Sequence, residues 1–235
     1  MFKVMGFDAL PGNLARVRDE VARVQAVEGV GAPIRIVAVT KGHGLDAARA
    51  ALGAGLSDLG ENRVQEGSEK IASLASETAR WHLIGHLQTN KAKLIPGAFA
   101  MVHSMDSVRV AEALDRAVAR RAGVGRLEVL LQVNVAGEDQ KSGCSPVEAP
   151  AIAAAAAALP GLELRGLMTM APYTDDEGVQ RQVFASLRRI REELEAQGLS
   201  LPELSMGMSG DFRAAVAEGA TLLRLGTVLF GERPS

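Results

Sequence analysis

A (β/α)8 barrel preceded by one extra N-terminal helix is the fold class that this sequence predicts. Three observations predict it. Short apolar runs alternate with segments of helical periodicity along the whole chain, and strict βα alternation implies a parallel sheet. Eight such units can be counted, which is enough to close a barrel. The length, 235 residues, suits one barrel, and no Pro/Gly/Ser-rich linker divides it, so residues 1–235 are read as a single domain. An open doubly wound sheet is the alternative. Against it, no GxGxxG follows the first strand, and eight repeats would be many for a chain of this length.

The elements follow in order. Residues 8–28 carry Leu10, Leu14, Val17, Val21 and Val24 at helical spacing, with Asp8 as the expected cap. The first strand, 34–40, is short, β-branched and bounded by Pro33 and Gly42. An Ala-rich helix at 47–54 leads to a brief strand at 57–60, then a helix at 64–76 to a strand at 81–84. A short helix at 87–94 precedes a strand at 98–102. An amphipathic helix at 108–121, ended by Gly123, precedes an apolar strand at 127–135. The helix at 146–159 stops at Pro160-Gly161 and leads to a strand at 162–168. A long helix at 177–197 closes at Gly198. A vestigial strand around Leu204, a helix at 211–218 and a strand at 222–225 complete the count.

Composition narrows the function. Hydrophobic residues make up 47% of the chain, ordinary for a globular protein and too many for disorder. A net charge of -2 gives no electrostatic reason to expect nucleic acid or an anionic membrane as partner. The one cysteine, Cys144, excludes an internal disulfide framework, fits a reducing compartment and reads as an idle loop thiol. No leader and no 18-residue apolar run is visible, so the expected location is the cytoplasm. The four histidines show no HxH or HExxH spacing, so no metal site is expected.

In such a barrel the chemistry lies at the C-terminal ends of the strands. The first strand ends on Lys41, in VTKGHG (39–44). A buried strand seldom finishes on a lysine, because the charged amine is costly to desolvate. Either Lys41 snorkels to water, or it is a Schiff-base amine at the barrel mouth. The other strand ends offer Glu61 and Asn62, His82 with His86, His103, Asn134 and Met168, then Met206 to Ser209, and Arg224 to Thr227. Gly226 and Thr227 can present backbone N–H groups and Ser209 a hydroxyl, in the loops where barrels recurrently hold a phosphate. Arg224 is embedded in an apolar strand and needs a buried acceptor, ordinarily a salt bridge to a neighbouring strand. Met168, Met170, Met206 and Met208 either fill the barrel mouth or flank a ligand.

Six stretches carry a family resemblance: VAVTK (37–41), LGENRVQEGSEK (59–70), WHLIGHLQTNK (81–91), LLQVNVAGEDQKSG (130–143), GLMTMAP (166–172) and the segment from LSMGMSGDFR through LFGER (204–233). On these the chain resembles the YggS/PROSC family of pyridoxal 5'-phosphate (PLP) homeostasis proteins. His86 departs from many relatives. The resemblance implies a barrel of the alanine racemase type, fold type III-like, without the C-terminal β domain of the racemases. It implies that Lys41 carries PLP as an internal aldimine. It implies too that Ser209, Gly226 and Thr227 hold the phosphate, that Arg224 faces the pyridine nitrogen, and that Asn62 lies near the ring's oxygen side. Met206 joins this set as a cofactor-binding residue. A guanidinium only donates hydrogen bonds, so beside the ring nitrogen it weakens PLP as an electron sink.

Two functions follow. The first is a protein that carries, buffers or delivers PLP to PLP-dependent apo-enzymes, without robust turnover. The second is a PLP-dependent amino-acid racemase, which needs an acid/base group on each face of the substrate carbon. Lys41 could be one. His82, His86 and His103 are candidate partners, each with an ordinary reading as a satisfied rim histidine. The only tyrosine, Tyr173, lies in the loop after the sixth strand. A class I aldolase-like lysine acting on sugar phosphates is a third, weaker reading. Lys141 is a candidate second amine and Lys91 a helix cap or phosphate contact. The expected oligomeric state is a monomer, since the racemase-type dimer surface is missing, and the expected PLP is edge-exposed and open to small amines.

Overall fold

The computed structural model describes residues 6–75, 77–138 and 140–232. Helix α1 (Leu10–Glu28) comes first. Then strands and helices alternate: β1 (Arg35–Val39), α2 (Leu45–Gly53), β2 (Asp58–Glu61), α3 (Val64–Ser73), β3 (Arg80–Leu83), a 3-10 helix (Thr89–Leu94), β4 (Met101–Met105), α4 (Val108–Ala119), β5 (Leu127–Gln132), α5 (Ala149–Ala157), β6 (Leu162–Met168), α6 (Glu177–Ala196), β7 (Glu203–Ser205), α7 (Phe212–Ala217), β8 (Leu222–Leu225) and α8 (Thr227–Phe230). Neighbouring strands pair in parallel in chain order and β8 returns to β1, so the sheet is a closed barrel. This is the expected (β/α)8 architecture with one extra helix in front.

Several boundaries differ from expectation for local reasons. Helix α1 starts at Leu10 with Pro11 in its first turn, and Asp8 does not cap it. Strand β4 begins three residues later than the apolar run at 98 suggests. The Ala98 and Phe99 N–H groups are spent on the Ile95 carbonyl and finish the preceding turn. Helix α5 begins at Ala149 with Pro150 in its first turn. Ser76, the end of one expected helix, lies outside the described residues.

Two apolar layers result from strand alternation. The outer one packs strand residues such as Leu59, Leu83 and Leu204 against the helices. The inner one fills the barrel with Val37, Met101, Leu130, Met168 and Leu222, with Met170 against them. The N-terminal end of the barrel is closed by a ring of charges. Arg35 pairs with Glu203 at 2.6 Å and Arg80 with Glu128 at 2.6 Å, while Asp58 sits between the two arginines at 3.8 and 4.0 Å. Each partly exposed pair contributes little alone. The opposite, C-terminal end, where the strand-to-helix loops lie, is the mouth of the barrel.

Candidate functional site

Lys41 lies in the turn two residues beyond β1 and is half-buried. Its neighbours are held by a buried cluster. The Thr40 hydroxyl donates to Glu61 at 2.6 Å, and Lys70 Nζ donates to the Thr40 carbonyl at 2.9 Å and to Glu61 at 2.6 Å. Lys70 also reaches Glu66 at 3.1 Å, and Glu66 in turn accepts the Gly42 N–H at 3.1 Å. Residues 40 and 42, on either side of Lys41, are therefore both clamped to α3. Burial pushes the Glu61 carboxyl above its ordinary value, and the bonds from Lys70 and Thr40 offset this only in part. One Glu61 oxygen, Oε2, is buried with no hydrogen-bond partner.

Asn62 follows β2 and is half-buried. Gly85 packs so closely on it that a Cβ there would lie 2.3 Å from the Asn62 carbonyl oxygen. Beyond β7, Gly207 takes a φ of +93°, which a side chain would disfavour. Ser209 Oγ then accepts N–H bonds from Gly226 at 3.3 Å and Val228 at 3.2 Å. Two backbone donors around the exposed Thr227 thus converge on one oxygen position, next to the seventh and eighth strand ends.

Arg224 is buried in the barrel interior. Its Nη1 donates to Ser205 Oγ at 2.6 Å and its Nη2 to the Thr169 carbonyl at 2.8 Å. Burial pulls the guanidinium down to about 10, partly offset by the charge of Asp211. The ordinary alternative, a salt bridge to a neighbouring strand, is not what holds it: both hydrogen-bond partners are neutral oxygens. Two of five N–H groups are so used, which leaves donor capacity for an acceptor in the mouth.

Three further expectations need correction. Met206 does not fill the mouth with its side chain. It is fully buried in the outer layer, because Ser205 beside it takes the inward direction. His82 and His103 are not rim residues either: both are fully buried in mid-strand and hydrogen-bonded to each other at 2.9 Å. Only His86 is exposed, with Nδ1 3.6 Å from Asp106. Met208 and Tyr173 are exposed, and Lys141 is held by Glu138 at 2.7 Å and the Ala171 carbonyl at 3.0 Å. Asp58, Ser205 and Lys70 escaped the sequence reading. Their signal was a polar side chain at an inward or helix-facing position of an apolar element.

The donor set suits a small anionic ligand: an amine, converging backbone N–H groups with a hydroxyl, and a buried guanidinium. Comparison with known proteins agrees. Residues 12–234 match the family of the alanine racemase N-terminal domain. Pyridoxal phosphate homeostasis proteins of Pseudomonas aeruginosa and Deinococcus radiodurans are 44% and 46% identical to the chain; each match covers 94% of it, and 94% and 99% of the relatives. The chain belongs to the pyridoxal phosphate homeostasis protein family. Among solved structures of similar proteins, PipY of Synechococcus elongatus without PLP has a TM-score of 0.84 at 38% identity, covering 94% of this chain and all of PipY. PipY with PLP bound has 0.78 at 37%, covering 90% of this chain. An alanine racemase of Clostridium difficile, 16% identical with a TM-score of 0.78, shares the fold. This member of the homeostasis family spans 61% of that racemase chain. Among the described residues, no helix is long and apolar enough to cross a membrane, and no cluster of three or more potential metal ligands occurs.

Proposed function

We propose that the chain binds PLP at the C-terminal mouth of the barrel and serves PLP homeostasis by holding and releasing it. Lys41 is the covalent tether. Ser209 and the backbone around Gly226 and Thr227 take the phosphate, Arg224 faces the ring nitrogen and Asn62 the ring's oxygen side. Met206 contributes through its main chain. When bound, PLP supplies an electrophilic carbonyl and an electron-withdrawing ring.

The observation that carries this reading is Arg224. A guanidinium buried on neutral oxygens is costly unless a further acceptor uses it, and a ring nitrogen at the mouth is such an acceptor. Because arginine donates and does not give up its proton, it holds that nitrogen in its acceptor state. The clamp of Lys70, Glu61 and Glu66 on residues 40 and 42 supports Lys41 as a positioned amine.

Release rather than turnover is supported by three things. The relatives are named homeostasis proteins and not enzymes. Tyr173 is fully exposed, and His82 and His103 are buried and bonded to each other, so none of these three serves as a second acid/base group opposite Lys41 in this reading. Apo-enzymes as recipients, a cytoplasmic setting, a monomeric single-domain state and edge-exposed PLP belong to the same proposal. It is tested by mixing PLP-loaded protein with a PLP-dependent apo-transaminase, and separately with L-alanine in deuterated water. The expected result is reactivation of the transaminase with no deuterium at the alanine alpha carbon. Steady deuterium incorporation at enzyme rates would replace this reading with the racemase.

A further inference from the structure

A polar chain crosses the apolar interior of the barrel. Arg224 Nη1 and Ser205 Oγ are 2.6 Å apart, Ser205 Oγ and His103 Nδ1 2.8 Å, His103 Nε2 and His82 Nδ1 2.9 Å, and His82 Nε2 and Asp58 Oδ1 2.8 Å. It links strands β8, β7, β4, β3 and β2, and runs from the mouth to the ring of charges at the closed end.

The polarity of this chain is fixed from both ends. Arg224 can only donate, so the Ser205 oxygen accepts from it and its O–H donates a hydrogen bond to His103 Nδ1. Asp58, ionised, can only accept, so His82 Nε2 carries a proton. With neutral rings, His82 Nδ1 then accepts from His103 Nε2, and His103 Nδ1 accepts from Ser205. The two ends give the same answer. Burial keeps both imidazoles below their ordinary value, which maintains the neutral rings this polarity needs.

We propose that Ser205, His103, His82 and Asp58 are positioning residues that orient the Arg224 guanidinium toward the ligand, through one unidirectional hydrogen-bond relay with both histidines in the Nε2–H tautomer. The role rests on the PLP reading above; the tautomers do not. Among the described residues Arg224 has no direct carboxylate partner, and the relay connects it to Asp58 without bringing a proton acceptor beside the ring nitrogen.

The test has two arms. Nitrogen-15 NMR of the ligand-free wild-type protein should show two buried imidazoles protonated at Nε2 and bare at Nδ1. A charged ring, or an Nδ1–H tautomer at either residue, overturns the relay whether or not PLP binds. The second arm titrates PLP into wild type, Ser205→Ala and Ser205→Thr and follows the absorbance band. Ser205→Ala should bind roughly tenfold more weakly with a shifted band, and Ser205→Thr should restore both. Equal affinity and an unmoved band in a folded Ser205→Ala protein overturn the positioning role. Failure of wild type itself to bind PLP would instead remove the functional reading.

Discussion

Lys70 Nζ donates to the carbonyl oxygen of Thr40, the residue before Lys41, at 2.9 Å. The same amine lies 2.6 Å from Glu61, whose side chain is fully buried. A lysine from α3 thus fixes the backbone of the strand end that carries the proposed tether.

That relationship makes Lys70 a stability determinant. Replacing Lys70 by Ala strips Glu61 of its cationic partner inside the protein, leaving it the Thr40 hydroxyl, and frees the Thr40 carbonyl. Breaking a buried pair on one side costs roughly 3–5 kcal/mol. Urea unfolding of Lys70→Ala should show a loss of that order. A loss below about 1 kcal/mol would mean that the cluster is not a clamp.

A pH dependence follows from the relay histidines. Burial holds His82 and His103 below the ordinary imidazole value, so in the folded state they stay neutral while the unfolded chain protonates them. A depressed value means a contribution that is present above the unfolded pKa and lost as pH falls. Stability should therefore drop between pH 7 and 5, with a slope approaching roughly 1.4 kcal/mol per pH unit for each imidazole. Glu61 runs the other way: its raised value gives a contribution present at low pH and lost as pH rises through its folded value. Asp58 is pushed up by burial but brought net below its ordinary value by His82 and nearby arginines, so its contribution fades only in more acid solution. Asp211, also raised by burial, runs as Glu61 does, but both start from ordinary values below that of imidazole, so the histidines leave a net fall toward pH 5. A flat profile of unfolding free energy from pH 7 to 5 would contradict it.

Gly85 sets the position of Asn62. In Gly85→Ala the added Cβ would press on the Asn62 carbonyl oxygen and on its Cα, 2.3 and 2.8 Å away, and backbone cannot yield as a side chain can. The expected outcome is destabilisation of about 2 kcal/mol with weaker PLP binding. Thermal melts and PLP titration of the same protein check both. A variant within about 0.5 kcal/mol of wild type would show that the loop adapts freely.

How much of this was legible in the sequence depended on which residues share a face. The barrel was readable because each βα unit announces itself by periodicity, and Lys41, Ser209, Arg224, Gly226 and Thr227 stood at predicted strand ends. The relay was not readable. Placing the fourth strand at 98–102 put His103 beyond its end, whereas β4 spans Met101–Met105 and carries His103 in its middle. The outward direction of the Met206 side chain was not readable, because a strand end does not say which of two adjacent residues faces inward. Ser205, three places before Met208, takes the inside position through His103 and Arg224. Besides Glu66 on its own helix, the partners of Lys70 lie 9 and 30 residues away in sequence, and only the packing of α3 on β1 and β2 brings them together.

The central claim is that Lys41 is the amine that tethers PLP. The direct measurement is an absorbance spectrum of the protein with PLP, followed by borohydride reduction and peptide mapping, in wild type and Lys41→Ala. The account predicts a visible band in wild type, fixation of the cofactor on the peptide containing Lys41, and loss of both in the variant. An unmodified Lys41 after reduction, or a band that persists unchanged in Lys41→Ala, would contradict it.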